Sequence, residues 1–195
     1  HDLWDYDTPA QPILFDWQRD GVSVPALVQL TKQGLVFALN RLTGESLWEM
    51  TEQPVPPSHV PGETAALSQP KPIAPPPLLD SFLMPHDAWG LTPVDRADCR
   101  KQLESLHNLG LFTPISEAPT LMYPGSLGGP NWGGGALLAE RGTLLINVNN
   151  IAFSGRLVPL AAEAFSGNGP PTAGKRFRVV MQGTPYAAEI GSLQS

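Results

Sequence analysis

Between Thr51 and Leu78 the chain reads TEQPVPPSHVPGETAALSQPKPIAPPPL, with nine prolines and no periodic apolar pattern. Proline fixes φ and has no N–H, so such a stretch can neither continue a helix nor donate a regular ladder of hydrogen bonds. The expectation over 51–78 is an extended, polyproline-like strap lying on a surface, with Val55, Val60, Leu67 and Ile73 as anchors. A flexible interdomain linker is its rival. The same bias runs through the molecule. There are 19 glycines and 22 prolines in 195 residues, many for a helical protein and few for a disordered one, which points to loop-rich β structure. With 42% hydrophobic residues the chain can bury one sizeable core. It opens without methionine on a chemically dense segment and reads as a piece of a longer polypeptide.

Charge and cysteine usage narrow the partners. A net charge of −6 and a pI near 5.1 argue against nucleic acid or an anionic membrane surface, both of which select for Lys and Arg. No apolar run approaches the ~20 residues that span a bilayer. A single Cys99 cannot form an intrachain disulfide, so cysteine leaves the compartment open.

Local patterns place the elements. Residues 22–30 (VSVPALVQL) and 35–40 (LVFALN) read as strands, with Asp20-Gly21 as a turn before the first and Thr31 to Gly34 as a turn between them. Lys32 is then at a hairpin tip, where a lysine is ordinarily solvated. Residues 92–110 read as the one helix, capped by Thr92, with Pro93 in its first turn, Asp95 at the positive end of its dipole and Gly110 closing it. Cys99, Leu103 and Leu106 share a face, which makes Cys99 a core thiol rather than a nucleophile. His107 is expected exposed at the helix end, and neither His59 nor His86 has a metal-spaced partner, so no metal ligand is assigned. Farther on, Leu121 to Tyr123, Leu144 to Val148 and KRFRVVMQ (175–182) read as strands, and 166–174 as a polar loop. Before the second of these strands lies GSLGGPNWGGG, in which Asn131 and Trp132 stand among Gly128, Gly129, Gly133, Gly134 and Gly135. No Lys-Ser/Thr follows and no helix starts there, so this is not a phosphate loop. A glycine-rich corner that presents Asn131 and Trp132 inward is expected instead.

The first seven residues, HDLWDYD, gather an imidazole, three carboxylates and two aromatic rings. A carboxylate held against aromatic surface is partly desolvated and gains basicity, so the segment is a candidate site. The alternative is a polar strand whose side chains alternate between two faces.

Ala38 to Trp48 (ALNRLTGESLW) resembles the tryptophan-docking repeat Ala-x-Asp-x-x-Thr-Gly-x-x-x-Trp of quinoprotein dehydrogenases, with Asn40 in place of Asp. Thr43-Gly44 supplies the turn, and Trp48 is expected to act as an apolar wedge between neighbouring sheets. Together HDLWDYD, PAQP, TKQG, SQP, WGLTPVD, FTP, YPG, GGPNWGG and GTPYA, in order over nearly all of the chain, resemble the membrane-bound dehydrogenases dependent on pyrroloquinoline quinone (PQQ), of the glucose and quinate/shikimate type. The resemblance implies an all-β fold, a fragment of an eight-bladed β-propeller with one helical insertion. At roughly 40 to 50 residues per blade plus insertions, the chain is expected to supply about two to three blades.

It also implies roles. Asp5 falls on the proposed catalytic base and Lys32 on the cation that contacts the quinone oxygens. Asn131 and Trp132 fall on cofactor-facing groups, and His1, Asp2 and Trp4 on positioning residues. PQQ is the implied cofactor, together with a divalent cation, usually calcium, whose main ligands would lie upstream. The implied substrate is a small alcohol, polyol, sugar or cyclic hydroxy acid, with the NVNN run at 147–150 leaning toward a cyclic acid such as quinate. Electrons would pass to ubiquinone through a membrane anchor absent from this chain, in a periplasmic enzyme attached to the inner membrane. The isolated chain is expected to be inactive. Two other readings stand beside this one: a non-catalytic propeller scaffold, and a carbohydrate-binding domain that uses Trp17, Trp89 and Trp132 as stacking platforms.

Overall fold

Asp20 and Gly21 both adopt positive φ, 52° and 77°, the geometry that lets a two-residue turn follow the right-handed twist of its strands. They join β1 (Ile13–Arg19) to β2 (Val22–Leu30), which pairs in turn with β3 (Val36–Asn40) in a three-stranded antiparallel sheet. The computed structural model describes residues 3–160, 177–180 and 184–193. The period of two shows in burial. Val28, Leu30, Val36 and Ala38 are buried on one face, with Ile13, Phe15, Leu144 and Ile146 packed against them. Asn40 does the work of the missing aspartate, because its side-chain oxygen accepts from the Leu42 amide at 2.9 Å and its carbonyl from Gly44. Trp48 then packs on this core and lies 5.3 Å from the Trp17 ring.

The proline-rich stretch departs from the expected polyproline strap. Residues Met50–Pro54 (β4) and Ser68–Pro72 (β5) form an antiparallel ribbon. The ribbon tolerates proline through parity. Pro54, Pro70 and Pro72 face Ser68, Glu52 and Met50, one class of cross-strand pair. Amide bonds run in the other class, as in Val55 N–H to Leu67 O and Ile73 N–H to Glu49 O. Of the expected anchors only Val60 is buried, while Leu67 and Ile73, which flank the ribbon strand β5, are exposed.

Helix α1 (Pro93–Glu104) starts as expected, with a reciprocal box in which the Thr92 hydroxyl accepts from Asp95 N–H and the Asp95 carboxylate accepts from Thr92 N–H. It ends six residues before Gly110. The His107 amide donates to Pro119 O and its carbonyl accepts from Leu121 N–H, which draws the chain out of the helix and onto β6 (Thr120–Met122). Leu103, with Cys99 and Leu106 beside it, packs on Leu121 and Tyr123. A hairpin of β7 (Gly135–Leu138) and β8 (Thr143–Ile146) follows. Last come β9 (Phe153–Pro159), β10 (Phe177–Val180) and β11 (Tyr186–Ser192), which join β6 in a four-stranded antiparallel sheet of order β10-β11-β9-β6. Within it Glu189 is buried between Arg156 and Arg178, at 3.3 and 3.0 Å. Burial favours the protonated acid, yet the two guanidiniums outweigh it and hold this carboxyl below its ordinary range. The loop expected at 166–174 lies outside the described residues. Among the described residues the molecule is a mostly-β array of antiparallel sheets with one α-helix, in keeping with the expected fragment of a β-propeller.

Candidate functional site

The segment before β1 is extended but unpaired, and the first strand begins only at Ile13, which corrects the reading of HDLWDYD as a strand. Alternation still governs it. Trp4 and Tyr6 turn toward the 111–113 loop. The Trp4 indole N–H donates to Thr113 O at 2.9 Å, and the Tyr6 hydroxyl lies 3.0 Å from Leu111 O and 3.1 Å from Pro124 O. Both rings meet Phe112 edge-on, with centroids 5.2 and 6.2 Å away. Asp5 and Asp7 take the intervening positions and reach Lys32. His1 and Asp2 lie outside the described residues.

Lys32 is not the solvated lysine expected of a hairpin tip, since it is only 7% exposed. Three things close over its turn. Thr31 braces it from within, its hydroxyl bonded to the amide and carbonyl of Leu35. The end of the proline-rich stretch crosses it, with Leu78 N–H donating to Gly34 O at 2.8 Å. The glycine-rich loop presses against it at Gly129, whose φ is +60° and where a Cβ would stand 2.1 Å from the Lys32 carbonyl oxygen. Only glycine fits there.

The buried ammonium is held by two carboxylates. Lys32 Nζ lies 3.0 Å from Asp5 Oδ1 and makes a second, shorter contact with Asp7 Oδ1. The cation is sunk while both partners are about half exposed, their side chains at 55% and 58%. Burial alone would push the lysine toward its neutral form. The hydrogen bonds and charges of Asp7 and Asp5 outweigh it, and the Lys32 pKa lies above its ordinary value. Asp7 is held below the ordinary carboxylate range, chiefly by its hydrogen bond from Lys32. The structure therefore presents a buried cation held by two carboxylates of one short segment, whose alternate residues Trp4 and Tyr6 pack on Phe112.

Of the four residues singled out in the sequence, Asp5 and Lys32 are brought into contact. Asn131 and Trp132 ride on the loop that touches the lysine turn through Gly129. Asn131 is buried, its side-chain oxygen accepting from Trp132 N–H at 2.9 Å. Trp132 is 83% exposed, so the expectation that both residues face inward fails for the indole in this chain. The loop's own amide needs claim Asn131 and leave its neighbour outside. Asp7 and Gly129 were not singled out for the site. Asp7 could have been found from spacing alone, since two residues apart on extended chain means one face. Behind Asp5 a cavity of about 10 Å³, lined by Trp4, Tyr6, Leu111, Thr113, Pro124 and Ser126 among others, has room for one water and no more. Among the described residues no group of three or more His, Cys, Asp or Glu comes together to hold a metal.

Comparison with known proteins adds an independent line. A family model described as PQQ, glucose/ethanol/alcohol dehydrogenase, beta-propeller domain, matches residues 1–195. The quinate/shikimate dehydrogenase (quinone) of Acinetobacter baylyi is 35% identical over 190 residues, 95% of this chain and 24% of that protein. Quinoprotein glucose dehydrogenase A of Acinetobacter calcoaceticus is 35% identical over 100% of this chain and 25% of its own length. The glycerol dehydrogenase large subunit of Gluconobacter thailandicus is 34% identical over 97% and 27%. The chain thus spans about a quarter of the length of the curated relatives it matches. No solved structure matches it.

Proposed function

Because the chain belongs to the PQQ-dependent glucose/ethanol/alcohol dehydrogenase β-propeller family, we propose that it forms one wall of the active site of a quinoprotein dehydrogenase. The enzyme oxidises a polyol, sugar or cyclic hydroxy acid and passes the electrons to membrane quinone. The observation that carries this reading is the contact between Asp5 and the buried Lys32. PQQ, when bound, supplies the two-electron acceptor. Asp5 takes the hydroxyl proton of the substrate as the adjacent carbon is oxidised. Lys32 offers an immobile positive charge to the oxygen on which negative charge gathers, and an ammonium already oriented by two carboxylates needs little reorganisation to do so. Asn131 and Trp132 complete the cofactor-facing surface, the exposed indole offering a flat face.

A cation fits the chemistry of the reaction but not the donors of this chain, where no metal-ligating cluster exists among the described residues. The ligands of such a cation, calcium included, would lie in the rest of the enzyme. Two relatives are named for quinate or for glucose, and another for glycerol, which supports a polyol-like substrate. The quinone in the name of the first supports electron delivery to a quinone, and the proposed setting is a periplasmic enzyme attached to the inner membrane. No helix among the described residues is long and apolar enough to cross a membrane.

The test is reconstitution. The full-length polypeptide carrying this chain, stripped and then supplied with PQQ and calcium, should reduce an artificial dye with quinate, glucose or glycerol, and the isolated chain should not. Dye reduction independent of PQQ, or none with any polyol, would sink the proposal.

A further inference from the structure

Lys32 has two carboxylate partners, and the reaction proposed above uses only one of them. We propose that Asp7 is a positioning residue, the standing counter-ion of Lys32, which keeps the ammonium from pairing fully with Asp5 and so leaves the Asp5 carboxylate available to accept a proton. The inference rests on the reading of Asp5 as the base.

The geometry supports it in three steps. The Lys32 side chain is buried beneath both carboxylates, so it cannot swing away into water, and its charge has to be shared between them. Both carboxylates contact the ammonium directly, so neither is a distant bystander. Finally, Trp4 and Tyr6 are pinned to the carbonyls of 111, 113 and 124, which fixes the backbone on either side of Asp5 and sends both carboxylates the same way. Among the described residues, the segments packed against the clamp, 78–79, 111–113 and 124–131, carry no ionisable side chain, and the Tyr6 hydroxyl is turned to backbone carbonyls.

Two consequences of losing the Asp7 charge point the same way. The ammonium would be left to Asp5 alone, and the repulsion between two neighbouring carboxylates would vanish. Both favour the ionised form of Asp5 and weaken it as a base. Lys32, having lost a stabilising anion, would deprotonate more readily.

Asp7→Asn and Asp7→Glu in the full-length polypeptide test this with two readouts. The first is the pH profile of PQQ-dependent kcat/KM. In D7N its acid limb should move to lower pH by half a unit or more, with kcat at the plateau falling threefold or more, and D7E should restore both. The second needs no cofactor. Acetylation of Lys32 by acetic anhydride at pH 9, followed by peptide mass spectrometry, should speed up at least threefold in D7N and return toward the parent rate in D7E. An unmoved acid limb, unchanged Lys32 labelling, or a D7N protein that fails to fold would each overturn the proposal, the last by making Asp7 merely structural. A parent enzyme with no PQQ-dependent activity would sink the proposed function instead, and the labelling arm would still decide whether Asp7 holds Lys32.

Discussion

At the scale of single residues, the telling contrast is between where Lys32 lies in the chain and how little of it water reaches. A turn lysine has solvent on most sides, and sinking one is costly unless anions meet it. Asp5 and Asp7 meet it. Because both carboxylates are about half exposed, solvent screens the pair, and the net stabilisation is modest. Lys32→Ala should therefore cost about 1–2 kcal/mol at pH 7. The sign of its pH dependence follows from the shifts. Asp7 titrates lower in the folded protein than its ordinary 3.8, so its contribution is complete above that value and is lost as pH falls through the folded pKa. Lys32 titrates above its ordinary 10.5, so its contribution holds below that value and is lost as pH rises through the folded pKa. Urea unfolding of parent and K32A should differ at pH 7, and the gap should narrow as pH falls below 3.8 through the folded pKa of Asp7; a gap that does not shrink on acidification would contradict the ion-pair account. Asp5 and Lys32 were legible in the sequence through the motif they belong to. Burial of Lys32 was not, because what covers it arrives from residues 78 and 129, far along the chain.

At the scale of elements, the glycine-rich loop is the piece that shapes the site without supplying chemistry. Gly129 combines a positive φ with a backbone in its way, so Gly129→Ala is strained twice over and no flexible side chain can yield. The substitution should destabilise the protein by about 2–4 kcal/mol and loosen the Lys32 turn. Differential scanning calorimetry and hydrogen exchange at 31–35 check this, and a G129A protein with unchanged melting and protection would show that the loop does not bear on the lysine. Elements set by local chemistry were readable in advance. The Asp20-Gly21 turn, the strand over 22–30 and the Thr92 cap occupy their expected places. The ribbon of β4 and β5 was hidden because its tolerance of proline depends on pairing parity, and register is not written in either strand alone. The end of α1 was hidden for a similar reason, as the His107 peptide is claimed by β6, a partner found only in three dimensions.

At the scale of the whole molecule, the described residues form two substantial sheets and two ribbons with three separate apolar clusters. That is the organisation of blades packed side by side rather than of one sandwich core. The distributed motifs made this legible in the sequence where periodicity alone could not, since short antiparallel strands look alike in any β architecture. A wall of this kind needs its opposite wall, and the chain covers about a quarter of its relatives' length, so the chemistry has to be measured in the full-length polypeptide. The central claim is that Asp5, placed against a buried cation, takes the substrate's proton. Steady-state dye reduction by the Asp5→Asn enzyme tests it most directly. The account predicts a fall in kcat of about 10²–10⁴-fold, the range general-base catalysis supplies, with PQQ still bound as tightly as in the parent. An Asp5→Asn enzyme that turns over within threefold of the parent would contradict it.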